Sequence, residues 1–540
     1  MERCAFARAP AVQEKGWLAA PLESSMTTTD RLFQQAQALH RAGRLAEAEA
    51  GYRQVLKLDP RHADSLNFLG VAAAQRGDSA AAVQLIGQAI RLRPSAADYH
   101  DNLGLALLAQ GRLDEAGNSH RKALRLDPNH AGAHNHFGNI LAKRGQPAEA
   151  ERHYRTVLKL QPNHVEALNN LGVLLTAEER LEEAERHLRT ALRLAPGYVD
   201  PYANLGGVLR NLGRLDEAED AFRTGLRLAP TQPALRYNLA GLLLLTGRYD
   251  EGWPLYEARQ QLPGAPPARF DMPQWRGEDL GQATLLLHAE QGAGDVIMAC
   301  RYLTRLPPET RFMVEVPPSL GRLVASLVGA ERVVMRGAAV PAATVHCPLA
   351  SLPLAFGTRL DTIPAPEFYL RADPAAVAAW QQRLGKLSGM RVGLVWAGNP
   401  DHADDRRRSL PPALLAPLAA LPDVSFVSLQ KGVETALPPV PLTDWSAELG
   451  DFVDTAALIA ALDLVIGVDT AVIHLAGALG RPAWLLNRFD PHFLWQLGSA
   501  SSAWYSSVRQ FRQSSPGDWA GVAAQVAESL AAEITRRTQS

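Results

Sequence analysis

The chain reads as an α + α/β multidomain protein: an α-helical repeat solenoid in its first half and a tandem pair of parallel α/β units in its second. Two observations predict the solenoid. Pro60, Pro94, Pro128, Pro162, Pro196 and Pro230 each lie 34 residues after the last, and Gly70, Gly104, Gly138, Gly172 and Gly206 keep the same step. Ala48, Ala82, Ala116, Ala150, Ala184 and Ala218 form a third column. The α/β half is predicted by a change of period. After a proline-rich stretch at 263–273, short apolar runs alternate with helical patterns and glycine-bearing loops.

Each 34-residue unit contains a first helix, a turn with Gly43, Gly77, Gly111, Gly145, Gly213 or Gly247, a second helix and a proline stop. Small residues are expected where the two helices cross closely, with the first-helix glycine meeting the second-helix alanine. Proline ends the second helix, and the mid-unit glycine supplies a left-handed helix terminus. One unit cannot bury its apolar face, so about seven must stack over 27–262. The unit itself resembles the tetratricopeptide repeat. The seventh departs from the pattern at Trp253, Pro254, Leu255 and Tyr256, and reads as the repeat that docks on the second half.

Asn102, Asn170, Asn204 and Asn238 form a ladder down the array. Such carboxamides can bind an extended peptide or partner without reading its side chains, or they can brace neighbouring repeats. His100, His120, His130, His134 and His136 recur at solenoid spacing without a ligand pattern such as HExxH, and read as packing or solvated residues. No metal site is expected.

Length and composition bound the rest. The 540 residues exceed one core, 47% are hydrophobic, and a net charge of −1 gives no broad field for nucleic acid or anionic membrane. Cys4, Cys300 and Cys347 are far apart, which fits a reducing, cytoplasmic setting rather than a disulfide framework. No stretch has the roughly 20 clean apolar residues of a spanning helix. Residues 1–26 carry scattered charges and no apolar signal region, and are expected to be a disordered leader, with Met26 an alternative start to Met1.

In the second half, strands are expected at 284–288, 312–316, 332–335, 392–396, 424–429, 464–468 and 483–486. Helices are expected at 296–306, 319–328, 374–387, 410–420, 455–462 and 470–479. Two Rossmann-like halves follow, at 280–373 and 391–518, after a linker at 263–279. A connecting helix lies at 374–390 and a C-terminal helix and tail at 519–540. Ligands of such sheets lie beyond the C-terminal strand ends, where helix N-termini present free N–H groups.

Three loops stand there. In the first, Gly292 and Gly294 let a ligand approach the backbone, and Asp295 is either a helix N-terminal cap or a general base. In the second, Arg406, Arg407 and Arg408 precede a helix and could neutralise a diphosphate, or be a solvated charge run beside Asp404 and Asp405. In the third, Thr470 and His474 share a helix face and would point at one site, unless His474 is a core residue. The aromatic segments 493–496 and 504–507 either line the cleft or pack in the core.

The segments GAGDVIMACRYL, VGLVWAGNPDHADDRRRSLP, FVSLQKG and DLVIGVDTAVIHLAGALGRPAWLL, in this order, resemble the heptosyltransferase-like glycosyltransferases of family 9, which are two-domain GT-B enzymes. A solenoid ahead of a GT-B pair is also similar in architecture to the protein O-GlcNAc transferases. The resemblance implies an inverting transfer from a nucleotide sugar with no cofactor and no metal. It implies that Asp295 is the base and that Arg408, where the family commonly has lysine, pairs with phosphate. It further implies that Asp469, Thr470, Ala471 and His474 form the diphosphate turn, that Gln430, Lys431 and Gly432 hold the nucleotide, and that Glu434 contacts ribose.

Three functions compete on these grounds. The first is a glycosyltransferase whose solenoid recruits the acceptor, expected to be a protein, or another partner. The second is an envelope-glycan transferase docked through its repeats, and the third a non-catalytic adaptor that keeps a degenerate nucleotide site.

Overall fold

The computed structural model describes residues 27–266, 269–402, 405–432 and 436–539. The leader, Cys4, Met26, Asp404 and Glu434 lie outside them. The chain divides into two compact units, Met1–Val208 and Leu209–Ser540. The division falls inside the repeat array, within the helix Asp200–Asn211, and not at the proline-rich stretch.

The first unit contains antiparallel helix pairs, Thr28–Arg41 with Leu45–Leu58, Ala63–Gln75 with Ser79–Leu92, Ala97–Ala109 with Leu113–Leu126, Ala131–Lys143 with Pro147–Leu160, and Val165–Ala177 with Leu181–Leu194. The alanine column is fully buried. The glycines, however, meet the residue four positions past the alanine. A Cβ on Gly70, Gly138 or Gly172 would lie 2.7, 2.7 or 2.6 Å from Ile86, Tyr154 or Leu188, so the notch in one helix receives a large buried side chain of the other.

Turn glycines Gly43, Gly77, Gly111 and Gly145 have φ of +75°, +90°, +74° and +69°. The fifth turn places the exposed Glu179 in the same conformation, at φ +61°. A side chain there is strained against its own carbonyl, whereas glycine is not. Glu179→Gly is therefore expected to stabilise the solenoid by about 1 kcal/mol. Far-ultraviolet circular dichroism in urea reads this, and an unchanged or lower midpoint would count against it.

The polar columns brace the repeats. Asn102 Nδ2 donates to Asn67 Oδ1 at 3.1 Å, Asn170 to Asn135 at 3.1 Å, and Asn204 to Asn169 at 2.8 Å. The donor side of these three ladder carboxamides is thus engaged by the preceding repeat, which favours bracing over peptide capture. Asn238 is half-buried in the second unit. The histidines have local duties. His62, His130 and His164 accept from the backbone N–H of Ser65, Ala133 and Ala167 and so cap first helices, while His100 and His134 bond the carbonyls of Pro94 and Pro128.

The second unit opens with the last repeats, Leu215–Leu228, Pro233–Leu245 and Tyr249–Tyr256, and continues into two parallel sheets. The first sheet has order β3-β2-β1-β4, with β1 Thr284–His288, β2 Arg311–Val316, β3 Val333–Met335 and β4 Val345–Pro348. The second has order β10-β9-β8-β5-β6-β7, with β5 Met390–Val395, β6 Val424–Ser428, β7 Leu442–Thr443, β8 Leu464–Val468, β9 Ala483–Asn487 and β10 Val508–Arg512. Strands β4, β7 and β10 were not expected. Each lies at a sheet edge and lacks a long apolar run, which is the signal used for the buried strands. The expected helix at 410–420 is instead the 3-10 segment Pro412–Ala420, because Pro411, Pro412 and Pro417 withhold the N–H groups of an α-helix.

The helix Tyr249–Tyr256 is built into the core of this unit. Trp253 is buried, donates from Nε1 to the Thr358 carbonyl at 2.9 Å, and meets Tyr249, Tyr256 and Phe493 edge-on at 5.4, 5.9 and 5.6 Å. Tyr249 Oη accepts from Trp504 Nε1 and Gln496 Nε2. On the other side of the same core lies Arg301, in the helix Ala293–Leu303. It is fully buried and donates to the carbonyls of Trp504, Pro364 and Met298. Its guanidinium lies 4.6–5.0 Å from the ring centres of Tyr505, Tyr369 and Trp504. Phe493, Trp495, Trp504 and Tyr505 are therefore core residues and not cleft lining.

Candidate functional site

A cleft of about 800 Å³ opens past the C-terminal ends of β1, β5, β6, β8 and β9. Parallel strands place these ends together because every crossover returns the chain to the same edge. The cleft is lined by Gly292, Gly294, Asp295, Arg408, Gln430, Lys431, Gly432, Asp469, Thr470, Ala471 and His474. The glycine, nucleotide and diphosphate-turn residues expected in the α/β half thus converge on one space with Asp295 and Arg408, while Arg406, Arg407 and the aromatic segments lie outside it.

Asp295 sits at the third position of the helix Ala293–Leu303, where Oδ2 accepts from the Gly292 N–H at 3.1 Å. The carboxylate caps the helix with one oxygen and lines the cleft as well. Gly294 is small for a protein neighbour: a Cβ there would come within 2.7 Å of His474 Cδ2. It lets the first half touch the second, a different reason from the expected ligand approach.

His474 is buried. Its Nδ1 lies 3.0 Å from Tyr505 Oη and its Nε2 3.5 Å from Asp469 Oδ1, and its ring stacks obliquely on Trp495 at 5.2 Å. Burial opposes ionisation of Asp469, but the hydrogen bond and charge of His474 prevail and hold its carboxyl well below the usual range. Thr470 is the N-cap residue of the helix Ala471–Ala478, yet its hydroxyl makes no capping bond, and among the described residues its buried Oγ1 has no partner. A buried hydroxyl without a partner costs free energy, and an incoming acceptor or donor atom would relieve it.

Of the three arginines, Arg408 alone lines the cleft. Its Nε meets Asp405 Oδ1 at 3.2 Å, while Asp405 also accepts from Ser409 Oγ, which in turn accepts from the Gly398 N–H. Arg407 instead pairs with Asp490 at 2.7 Å. Gln430 is committed: its Oε1 accepts from the N–H groups of Trp396 and Ala397, and its Nε2 donates to the Ala397 carbonyl. Its side chain therefore shapes the loop after β5 rather than reaching out to a nucleotide. Lys431 and Gly432 are exposed at the rim.

Several lining residues went unread in the sequence. Arg488 and His492 follow β9, a strand end to which the same rule applied, and Asp451 caps the helix Phe452–Ala461. Burial lowers the His492 imidazole against the opposing charges of Asp295 and Asp469. Tyr237 and Tyr256, stacked at 5.7 Å, come from the last repeat and form part of the wall. No spacing in the sequence announces that contribution.

Comparison with known proteins divides along the same line. Residues 7–238 match the family model of the C-terminal domain of cilia and flagella-associated protein 70, a tetratricopeptide-repeat domain. Residues 450–488, which carry β8, the Thr470 turn and β9, match the model of glycosyltransferase family 9 (heptosyltransferase). The solenoid is of the tetratricopeptide type. The chain is also 31% identical over 311 residues to protein FlbA of Caulobacter vibrioides, spanning 52% of each chain, so it covers about half the length of that curated relative.

Among solved structures it is similar to PilW, a type IV pilus biogenesis factor, at 21% identity over 40% of this chain and 100% of that one, TM-score 0.36. It is similar to YrrB, a TPR protein with an unusual peptide-binding site, at 20% identity over 34% and 95%, TM-score 0.28. The chain thus joins tetratricopeptide repeats to an α/β region in which one segment matches the model of glycosyltransferase family 9. Among the described residues no helix is long and apolar enough to cross a membrane.

Proposed function

We propose that the chain is a glycosyltransferase that moves a sugar from a nucleotide-sugar donor to an acceptor hydroxyl with inversion, without a metal in the transfer step. The observation that carries this reading is the unpartnered Thr470 hydroxyl at a helix N-terminus in a cleft shared with Arg408, Lys431 and Asp295. The helix terminus and the two cations suit a diphosphate whose charge grows as the sugar leaves. Asp295, a carboxylate at the other wall, takes the proton of the acceptor oxygen as that oxygen attacks the anomeric carbon. The cleft volume lies in the range that holds a nucleotide sugar. Asp469 and Tyr505 orient the His474 ring beneath the diphosphate turn.

The acceptor is a polypeptide recruited by the repeats. Supporting this is the wall itself, since Tyr237 and Tyr256 belong to the last repeat. The test is thermal-shift screening against UDP, GDP, ADP, CMP and TDP, with Thr470→Ala/His474→Ala as control. One nucleotide is expected to raise the melting temperature in the native chain and not in the variant. A folded sample that responds to none would leave the module as a non-catalytic adaptor.

A further inference from the structure

The solenoid departs from its own repeat in three columns at one point. On the rung before and the two rungs after, two carboxamides join successive first helices, Asn102 to Asn67, Asn170 to Asn135 and Asn204 to Asn169. At the intervening rung the residues are His136 and Asp101, with Nδ1 3.0 Å from Oδ1 and 3.2 Å from Oδ2. The notch over the first-helix glycine holds Ile86, Tyr154 and Leu188 in the neighbouring repeats. Over Gly104 it holds His120, whose Nδ1 lies 2.7 Å from the same Asp101 oxygen. An apolar position and a neutral rung have thus been exchanged together for two imidazoles and a carboxylate. One exchange alone would bury an uncompensated polar group. The three make a set.

Their ligand atoms lie within 4.8 Å of one another. Asp101 and His120 are buried, and His136 keeps 21% of its side chain exposed, which leaves a route from solvent. The His120 ring is fixed by packing, since a Cβ at Gly104 would come within 2.4 Å of it, and Nε2 has no partner among the described residues.

We propose that Asp101, His120 and His136 bind one Zn²⁺ ion that ties the third repeat to the fourth. Two imidazole nitrogens and one carboxylate oxygen suit this ion, whereas Mg²⁺ and Ca²⁺ take oxygen ligands. Bonds of about 2.1 Å in a tetrahedron separate ligand atoms by roughly 3.4 Å. The two short contacts to Asp101 Oδ1 need to open by less than about 1 Å to reach that spacing. On binding, each neutral ring carries its proton on Nε2 and offers the Nδ1 lone pair, a ring that starts as imidazolium releasing its Nδ1 proton to solvent; the carboxylate supplies the third ligand, and a water on the His136 side completes the shell. The ion is a structural staple and takes no part in sugar transfer.

The repeat supplies its own control. Asp101→Asn/His120→Ile/His136→Asn restores the rung and the apolar column that neighbouring repeats already carry, so it is expected to fold. Full-length protein stripped with EDTA is titrated with ZnCl₂ by calorimetry, with bound metal measured after dialysis. The native chain is expected to retain one equivalent more than the triple variant, and Zn²⁺ to raise its melting temperature by several degrees, a shift that the variant lacks. Asp101→Asn and His136→Asn singly are expected to lose the same equivalent. Equal uptake by native and variant chains, or no uptake by the native chain, overturns the proposal and leaves the three residues as a hydrogen-bonded set.

Discussion

Asp295→Asn is expected to lower sugar transfer by at least about 10²–10⁴-fold while nucleotide binding persists. Asparagine keeps the volume of the side chain and an oxygen that can accept from the Gly292 N–H, so the start of the helix Ala293–Leu303 is retained. What it removes is the capacity to take a proton from the attacking hydroxyl. The two duties of the carboxylate are thereby separated in one substitution, which alanine would not achieve. Initial rates and the nucleotide-dependent melting shift, measured on the same preparation, check this. A variant with native turnover would make Asp295 a helix cap and nothing more.

Trp253→Ala is expected to destabilise the second unit by about 3–5 kcal/mol. The indole fills space among Tyr249, Tyr256, Phe493 and Trp504, and its N–H satisfies the Thr358 carbonyl. Truncation opens a cavity and strands a buried acceptor at once. Tryptophan fluorescence isolates the effect, because Trp17 is the one tryptophan before Val208. The fluorescence transition should move to lower denaturant while circular dichroism still reports a folded first unit. A coincident or unmoved transition would contradict the placement of the last repeat in the α/β core.

These two residues also mark how far the sequence could be read. The 34-residue period located the helix pairs because each repeat solves one packing problem in the same way. The buried strands β1 and β8 were found to the residue because they are continuous apolar runs between turn signals. The cleft residues were legible through a rule of position, since strand ends of a parallel sheet meet along one edge. Other features depend on distant partners. Gln430 could not be seen to spend its amide on the loop after β5, nor Arg407 to turn away to Asp490. Tyr237 and Tyr256 reach the cleft wall through packing across the whole unit. His120 looked like one of many histidines until the column it occupies was seen to be apolar in its neighbours.

Arg301 bears on how the cleft can move. It projects from the first α/β half and is held by carbonyls and aromatic rings of the segment that leads into the second half and of that half itself. A guanidinium fixed in this way cannot slide, because every donor would lose its acceptor inside a dry core. With Gly294 pressed on His474 nearby, this seam acts as a fulcrum. Under the proposed function, admission of a donor and release of a spent nucleotide are expected to rock the two sheets about Arg301, with the cleft mouth travelling furthest and the contact beneath His474 staying closed.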